Sequence, residues 1–227
     1  MTFEIKNVVV VGIGGVGIPL TETVCRYVAH KAPHAHILLM DGDTFEPRNR
    51  ERQAFAEVGN KADVKVRELK GLHPELMLTA VPEFITADNA YLYIPDGSIV
   101  FCCPDNHATR KVISDHCVSQ TDTLLISGGN AFDSGSVQLY KKVGGREHTR
   151  PLTHLHPEIE NPQDRNPAEM SCDERAAQGV PQLIFANLAV ASRMLEAFWM
   201  ATTGEVKWDT LYFSLTTGAQ RTIHKGV

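Results

Sequence analysis

A glycine-rich segment, Gly12–Gly17, lies between an apolar run and an amphipathic stretch near the N-terminus. Its glycines are Gly12, Gly14, Gly15 and Gly17. Glycine lets the backbone approach a phosphate closely, and a helix starting there would add free N–H groups and partial positive charge. Asp41 ends the next apolar run, where a carboxylate can hydrogen-bond ribose hydroxyls. This pattern fits any dinucleotide-binding Rossmann domain, and a tight glycine turn without a ligand also explains it.

The residues after Asp41 favour a triphosphate over NAD. They read Asp-Gly-Asp-Thr-Phe-Glu-Pro-Arg-Asn-Arg-Glu-Arg-Gln from Asp41 to Gln53. Arg52 and Lys61 could neutralise phosphate charge, and Asn49 could donate a hydrogen bond. Two more polar residues of this stretch complete the candidate nucleotide site, namely Asp43 and Gln53. A solvated polar loop is the alternative, but we favour it less behind such a glycine loop.

A third polar segment, Cys103–Arg110, follows a later apolar run. A carboxylate at the carboxyl end of a parallel strand stands in the ligand crevice, so Asp105 could hold Mg²⁺ on a triphosphate. The alternative role for Asp105 is the N-cap of the following helix, and the two roles are compatible. Asn106 lies beside it in the same segment.

Short apolar runs alternate with amphipathic stretches, which predicts an α/β, Rossmann-like fold with a mainly parallel sheet flanked by helices. We expect antiparallel strands toward the C-terminus, including a hairpin that turns near Gly218. The predicted strands are 7–11, 36–40, 78–85, 98–103, 123–127 and 136–142. The predicted helices are one from about Val16 to Val28, then 61–73, 108–119 and 181–203. Pro82 predicts an edge position or a bulge for the third strand, and Gly128-Gly129 predicts a break after the fifth.

The whole chain, residues 1–227, is predicted to be a single domain with a polar, crossover-type loop at about 143–178. That loop carries no periodicity and many prolines and histidines, and loops of this length are usually functional or mobile. His148, His154 and His156 lack the spacing of a zinc site, so we expect surface histidines.

The composition excludes several classes of protein. The 227 residues are 43% hydrophobic and carry a net charge of −5, so no basic field points to nucleic acid or an anionic membrane. No apolar run is long enough to span a membrane, and we expect no signal peptide. Five cysteines without a CxxC pair indicate reduced thiols and a cytoplasmic protein.

Together, these segments resemble the ThiF/MoeB/HesA superfamily, which includes the adenylation domains of ubiquitin-activating enzymes. The resemblance rests on the GxGGxG loop, the D-x-D…N-x-x-R-Q stretch, the lysine after Val58-Gly59 and the D-N-x-x-x-R segment. It covers residues 5–140 well and 170–200 more loosely. Matching positions bind ATP in the family, and they are Gly15, Asp41, Asn49, Arg52, Lys61, Asp105 and Asn106.

The resemblance implies the adenylation of a carrier protein. The C-terminal Gly-Gly carboxylate of a ubiquitin-like or sulfur-carrier protein attacks the α-phosphorus of ATP, and pyrophosphate leaves. Arg52 and Lys61 would stabilise the phosphates, with Asp105 on Mg²⁺. Family members work as dimers or pseudo-dimers, so we expect a homodimer or pairing with a related subunit. A conjugating enzyme is a further candidate partner.

Cys172 lies where the family often has a thiol that takes the activated carboxyl as a thioester. A thiol near a helix N-terminus suits that role, whereas the neighbouring Asp173 and Glu174 oppose it by raising a thiol pKa. The family's CxxC pairs are absent from the sequence. An N-terminal helix that supplies an arginine to the neighbouring subunit is not expected either, so Arg48, Arg50 or a partner chain would take its place. These departures favour a bacterial conjugation-type system. The competing functions are an NAD-binding oxidoreductase and a non-catalytic pseudo-subunit, although the latter should have lost its phosphate-binding residues.

Overall fold

The computed structural model describes residues 2–170, 174, 182–204 and 206–224. Within these ranges, the strands are β1 Asn7–Val11, β2 His36–Met40, β3 Met77–Val81, β4 Ser98–Cys102, β5 Thr123–Asn130, β6 Ser134–Val143, β7 Arg146–Glu147, β8 Thr210–Ser214 and β9 Gln220–Ile223. The α-helices are α1 Gly17–Lys31, α2 Lys61–Leu72, α3 Ala90–Tyr93, α4 His107–Ser119, α5 Leu152–Leu155, α6 Pro157–Glu160 and α7 Ile184–Thr203. None of the described helices is both long enough and apolar enough to cross a bilayer.

The described strands form one sheet in the order β3-β2-β1-β4-β5-β6-β8-β9, with β7 paired to β6. Strands β1 to β5 run parallel, and β6, β8 and β9 join antiparallel. The mixed sheet with antiparallel strands toward the C-terminus confirms the predicted fold class. The parallel strands bring the ends of β1, β2 and β4 to one edge, where the chemistry of such folds is placed.

Two apolar layers cover the sheet. One layer packs α1, α2 and α7 against side chains such as Val8, Leu39 and Ile126. The opposite layer packs α3 to α6 against side chains such as Val9, Met40 and Leu125. Because both faces are covered, each central strand is apolar along almost its full length, as β4 shows with every residue buried.

Two predicted strand ends differ from the structure by three residues or more. Strand β3 ends at Val81, before Pro82, although its predicted edge position is confirmed. Strand β5 does not break at Gly128-Gly129 but continues to Asn130. A Cβ on Gly128 would lie 2.3 Å from the Met194 sulfur of α7, so glycine is needed there for helix packing and not for a turn.

The predicted polar loop is more ordered than expected over its described part. Val143 belongs to β6, β7 pairs with β6, and the single-turn helices α5 and α6 follow. Sequence periodicity cannot detect helices of four residues, because they complete only about one turn. The C-terminal hairpin is confirmed, with Gly218 at a φ of 67° between β8 and β9.

Candidate nucleotide site

The glycine loop is fixed between three strand ends. The Gly12 N–H donates to the Met40 carbonyl at 2.9 Å, and Gly12 has a φ of 88°, which favours glycine. A Cβ on Gly12 would lie 3.0 Å from the Pro104 nitrogen, so the loop after β4 rests directly on it. A Cβ on Gly17 would lie 1.9 Å from the Gly12 carbonyl oxygen. Only glycine fits at both ends of this turn.

The loop presents unused donors at the start of α1. Among the described residues, the N–H groups of Gly14, Gly15, Val16 and Gly17 have no acceptor. Helix α1 continues for 15 residues, and its dipole adds partial positive charge at this end. An anion with several acceptor oxygens, such as a nucleotide phosphate, satisfies these donors.

Asp41 ties the loop to the segment that follows β2. Its carboxylate accepts from the Ile13 N–H at 2.6 Å and from the Asp43 N–H at 2.8 Å. Burial raises the pKa of Asp41 above its ordinary value, while the nearby Lys61 ammonium acts in the opposite direction. The Asp41 carboxylate therefore holds the backbone of the glycine loop and of the segment after β2 together, in addition to any contact with a ribose.

Lys61 opens α2 and points back toward the same segment. Its ammonium lies 3.3 Å from an Asp43 carboxylate oxygen, and its side chain is 9% exposed. Asn60 holds this arrangement, because its side-chain oxygen caps α2 while its amide donates to the Asp41 and Asp43 carbonyls at 2.8 and 3.2 Å. Sequence reasoning missed Asn60. Its position directly before a helix, with Asp63 three residues on, was the available signal.

Arg52 and Gln53 follow a short 3₁₀ helix, Pro47–Asn49. The Asn49 carbonyl accepts from the Arg52 and Gln53 N–H groups at 3.1 and 2.9 Å. The Gln53 side chain is buried and reaches the loop, with its amide nitrogen 3.9 Å from a Cβ built on Gly14. The Arg52 guanidinium makes no hydrogen bond or ion pair with a described residue, so its charge is available to a ligand.

The two other candidate arginines differ in whether their charge is already paired with a carboxylate. Arg48 is held by Glu46, with a nitrogen-to-oxygen distance of 2.7 Å. Arg50 is exposed and has no charged partner among the described residues. Of the two, Arg50 is the one whose charge is not already compensated.

A buried lysine anchors the loop that carries Arg52. The Lys65 ammonium donates to Glu22 and Glu68 at 3.0 and 2.5 Å and to the Ala54 carbonyl at 3.2 Å. Glu68 in turn accepts from the Ala56 N–H at 2.6 Å. We call Lys65, Glu22 and Glu68 the Lys65 clamp, since together they join α1, α2 and this loop.

Asp105 stands exposed just beyond β4, on the loop that covers Gly12. Its carboxylate accepts from the Gln182 amide at 3.5 Å, so the residues before α7 reach the same place. The helix cap is not Asp105. Asn106 caps α4, with its side-chain oxygen accepting from the Thr109 N–H at 2.8 Å. Asp105 is thus free of the capping role, while a nucleotide contact by Asn106 stays a prediction.

Another carboxylate, which sequence reasoning missed, closes the start of α4. Asp164 accepts from the His107 and Ala108 N–H groups at 2.7 and 2.8 Å, which places the predicted polar loop next to Asp105. In the same segment, His156 is buried, and the expectation of a surface histidine was wrong for it. Burial lowers the pKa of His156 below its ordinary value of 6.5.

The described cysteines do not supply a nucleophile. Cys25, Cys102 and Cys117 are buried, and burial raises the pKa of Cys25 and of Cys117 to about 12. Cys103 is also held protonated, because burial raises its pKa. Cys172 lies outside the described residues.

The residues fit a magnesium ion that is shared with a ligand. Over the described part of the chain, no group of three or more His, Cys, Asp or Glu side chains could enclose a metal. One exposed carboxylate beside an array of phosphate donors is nevertheless the arrangement that Mg²⁺ prefers in nucleotide sites, with the remaining ligands from phosphates and water. Asp105 would be that carboxylate.

A glycine loop, a carboxylate directly after β2 and free donors at the start of α1 define a nucleotide-binding domain of the Rossmann-like class. The sequence matches the ThiF family over residues 3–220, so the chain belongs to that family. This confirms the resemblance found in the sequence.

Two curated relatives carry adenylyltransferase names. The chain is 31% identical over 145 residues to the adenylyltransferase and sulfurtransferase UBA4 of Lodderomyces elongisporus, covering 61% of this chain and 30% of that protein. It is 28% identical over 131 residues to the sulfur carrier protein ThiS adenylyltransferase of Escherichia coli strain K12, covering 56% and 50%. The chain thus spans about a third to a half of the length of these relatives.

The fold is also that of solved structures. The microcin C7 biosynthetic enzyme MccB, in complex with N-formylated MccA, aligns with a TM-score of 0.73 and 17% identity, over 97% of this chain and 65% of that one. E. coli MccB with ATP aligns with a TM-score of 0.71 and 17% identity, over 99% and 65%. At this identity, the likeness shows the fold alone.

Proposed function

We propose that this chain is a Mg·ATP-dependent adenylyltransferase that activates the C-terminal Gly-Gly carboxylate of a ubiquitin-like or sulfur-carrier protein. The observation that carries the proposal is the cluster of unpaired N–H donors from Gly14 to Gly17, together with an Arg52 guanidinium that has no partner among the described residues. Arg52 directly precedes Gln53, whose amide reaches the glycine loop. Together the donors and the guanidinium form a site for several phosphate oxygens and more than one negative charge. The family membership and the adenylyltransferase names of the relatives support the same function.

The charges of the site are arranged around the phosphates. The loop N–H groups hold one phosphate, Arg52 supplies a mobile cation, and Lys61 supplies a cation whose position is fixed by Asp43. A fixed charge costs little reorganisation during the reaction, which is how preorganised sites stabilise a transition state. When bound, Mg²⁺ would neutralise charge on the phosphate oxygens, and Asp105 is the residue that would hold it.

The reaction joins the carboxylate to AMP. A carboxylate oxygen forms a bond to the α-phosphorus, the bond to the bridging oxygen breaks, and pyrophosphate leaves with the electron pair. No proton transfer is required, so the protein contributes by positioning and charge stabilisation. The carrier class rests on the relatives, whose names include a sulfur carrier protein.

Isotope exchange between pyrophosphate and ATP tests the proposal. Purified protein is incubated with ATP, Mg²⁺ and a panel of carrier proteins ending in Gly-Gly, with ThiS among them. We expect carrier-dependent exchange that falls about 100-fold or more in Asp105→Ala. Asp88→Ala, which alters an exposed carboxylate on the loop before α3, is the matched control and should retain activity. Full exchange by Asp105→Ala would show that the assigned magnesium role is wrong.

Transfer to Cys172 is a second, separable step. The thiolate would attack the carbonyl of the acyl-adenylate and AMP would leave, giving a thioester. Cys172→Ala should keep the exchange reaction but lose any adduct that thiols can cleave. An adduct that persists in this variant removes Cys172 from the mechanism.

Pairing with a second subunit is the proposed assembly. Helix α7 exposes large apolar side chains on one face, namely Phe185, Leu188 and Trp199, which are 64%, 46% and 57% exposed. At about 100° per residue the three side chains project from the same side of the helix, with Ser192 and Glu196 between Leu188 and Trp199. We propose that a second copy or a related subunit covers this side of the helix. Trp199→Glu should convert a dimer to a monomer in sedimentation analysis, whereas a wild type that is already monomeric refutes self-pairing.

A cytoplasmic location is proposed because the reaction consumes ATP and the described cysteines are unpaired thiols. A conjugation-type system would in addition need a conjugating enzyme as partner. The carrier-dependence of the exchange reaction identifies which class of carrier the chain uses.

A further inference from the structure

Asn187, in the first turn of α7, packs against the glycine loop from behind. Its side chain has 0% exposure, and a Cβ on Gly15 would lie 2.1 Å from its amide nitrogen. A side chain at position 15 would require the buried Asn187 side chain to move. The glycine at this position therefore serves α7 as well as the phosphate.

The Asn187 carboxamide is fully buried without a hydrogen bond. Neither Oδ1 nor Nδ2 has a partner among the described residues. Burying an unpaired carboxamide is unfavourable, whereas leucine has a similar volume and would pack there without an unpaired polar group. An unpaired polar group at the back of a binding loop indicates a partner that becomes available in another state of the loop.

The matching partner is the Gly15 carbonyl. In a regular helix this carbonyl would accept from the N–H of the residue four positions later, but that residue is Pro19, which has no N–H. The neighbouring carbonyl of Gly14 accepts from Ile18 at 3.0 Å, whereas that of Gly15 has no donor in the described part of the chain. The unused acceptor thus belongs to the residue against which the unused Asn187 donor packs.

The peptide bond connects this carbonyl to the phosphate site. In a planar trans peptide the C=O and N–H groups point in opposite directions. If the Gly15 carbonyl turns toward Asn187, the Val16 N–H of the same peptide turns away from α7, toward the open side of the loop. The Val16 N–H is one of the unused donors described above.

We propose that Asn187 is a positioning residue of the nucleotide site. Its Nδ2 group donates to the Gly15 carbonyl when a phosphate occupies the loop, and this bond aims the Val16 N–H at the phosphate. The inference rests on the proposed function, since it assumes that the loop binds ATP. It adds that α7, which follows the segment with Cys172 in the sequence, is mechanically coupled to the occupied loop.

Calorimetric titration with ATP and Mg²⁺ tests the inference. Asn187→Leu should raise the Kd for ATP about 5- to 10-fold, as expected for the loss of one hydrogen bond, without lowering the melting temperature of the unliganded protein. If Asn187→Leu does not fold, Asn187→Ala serves for the same comparison. Gln138→Leu is the control, because Gln138 is also a buried carboxamide with an unpaired oxygen but lies on β6.

Pro19→Ala distinguishes a positioning role of Asn187 from a purely structural one. Alanine restores an N–H that can bond to the Gly15 carbonyl and orient the same peptide. Pro19→Ala should therefore recover at least half of the affinity lost in Asn187→Leu, which is a non-additive double-mutant cycle.

The outcomes separate the two proposals. A Kd within twofold of wild type in Asn187→Leu, or an equal loss with and without Pro19→Ala, overturns the role of Asn187 alone. A wild-type protein that does not bind ATP overturns the proposed function and this inference together.

Discussion

Replacing Lys65 by methionine tests whether the Lys65 clamp positions Arg52 and Gln53. Methionine keeps most of the volume of the lysine stem but removes the ammonium. The change therefore deletes the contacts to Glu22, Glu68 and the Ala54 carbonyl while preserving most of the apolar packing. The ring of Phe55, which lies 5.1 Å from the ammonium, would also lose a cation–π contact.

The size of the effect follows from burial. The Lys65 side chain is 2% exposed, but the carboxylates of Glu22 and Glu68 are 46% and 24% exposed. Breaking a fully buried pair costs about 3–5 kcal/mol and an exposed pair about 0–1 kcal/mol. Since the remaining carboxylates can turn to water, we expect a loss of about 2 kcal/mol. That corresponds to a melting temperature about 4–8 °C lower for a protein of this size.

The assay combines thermal unfolding with ATP titration. Because the clamp holds the loop that carries the side chains proposed to bind phosphate, Lys65→Met should also raise the Kd for ATP about tenfold. Arg67→Met is the matched control. Arg67 lies on the same helix and pairs with Glu57 of the same loop at 2.6 Å, but both side chains are about 60% exposed, as the values of 60% and 59% show. This exposed pair should contribute about 0.5 kcal/mol, with a change of about 1–2 °C. Equal effects of the two substitutions would refute the reasoning from burial.

Three further predictions test individual parts of the site. Gly17→Ala places a methyl group 1.9 Å from the Gly12 carbonyl oxygen and should abolish ATP binding. Gly71→Ala, which meets no atom within 4 Å, should leave ATP binding intact. Binding of ATP by Gly17→Ala would contradict the loop geometry. Arg52→Ala should raise the Kd for ATP about tenfold or more. The melting temperature should not fall, because the Arg52 side chain makes no contact with a described partner that the substitution would break. An unchanged affinity for ATP would exclude Arg52 from the site. Because burial lowers the pKa of His156 from 6.5, the folded chain keeps this ring neutral, and stability present above pH 6.5 is lost as the pH falls below that value. His156→Gln should therefore flatten the decline in melting temperature as the pH falls below 6.5, and an unchanged slope would exclude His156 as its source.

The succession of strands and helices in the parallel part of the sheet could be predicted, because apolar runs mark the strands and glycine turns mark where they end. Strands β1 and β2 were predicted with their observed bounds, since residues buried on both faces must be apolar throughout. The continuation of β5 through Gly128-Gly129 could not be predicted. The reason for those glycines is the close packing of Met194 and Arg110, which are distant in sequence.

The same limit applies to the site. Candidate site residues that are marked by their type and position in a motif, such as Arg52 and Lys61, could be predicted from the sequence, and their roles stay predictions. Asn60, Asp164 and Asn187 were missed, because each matters through a contact with a distant backbone segment. The sequence of an apolar helix does not indicate which residues a single asparagine, such as Asn187, will contact. The proposed role of Asn187 depends on Gly15 and Pro19, which are distant from it in the sequence.

A titration of wild-type protein with ATP and with NADH tests whether the free N–H groups of Gly14–Gly17, with Arg52 and Lys61, form a site for a triphosphate. We expect saturable binding of ATP in the presence of Mg²⁺, weakened in Arg52→Ala, and no fluorescence enhancement with NADH. Binding of NADH without binding of ATP would contradict a triphosphate site.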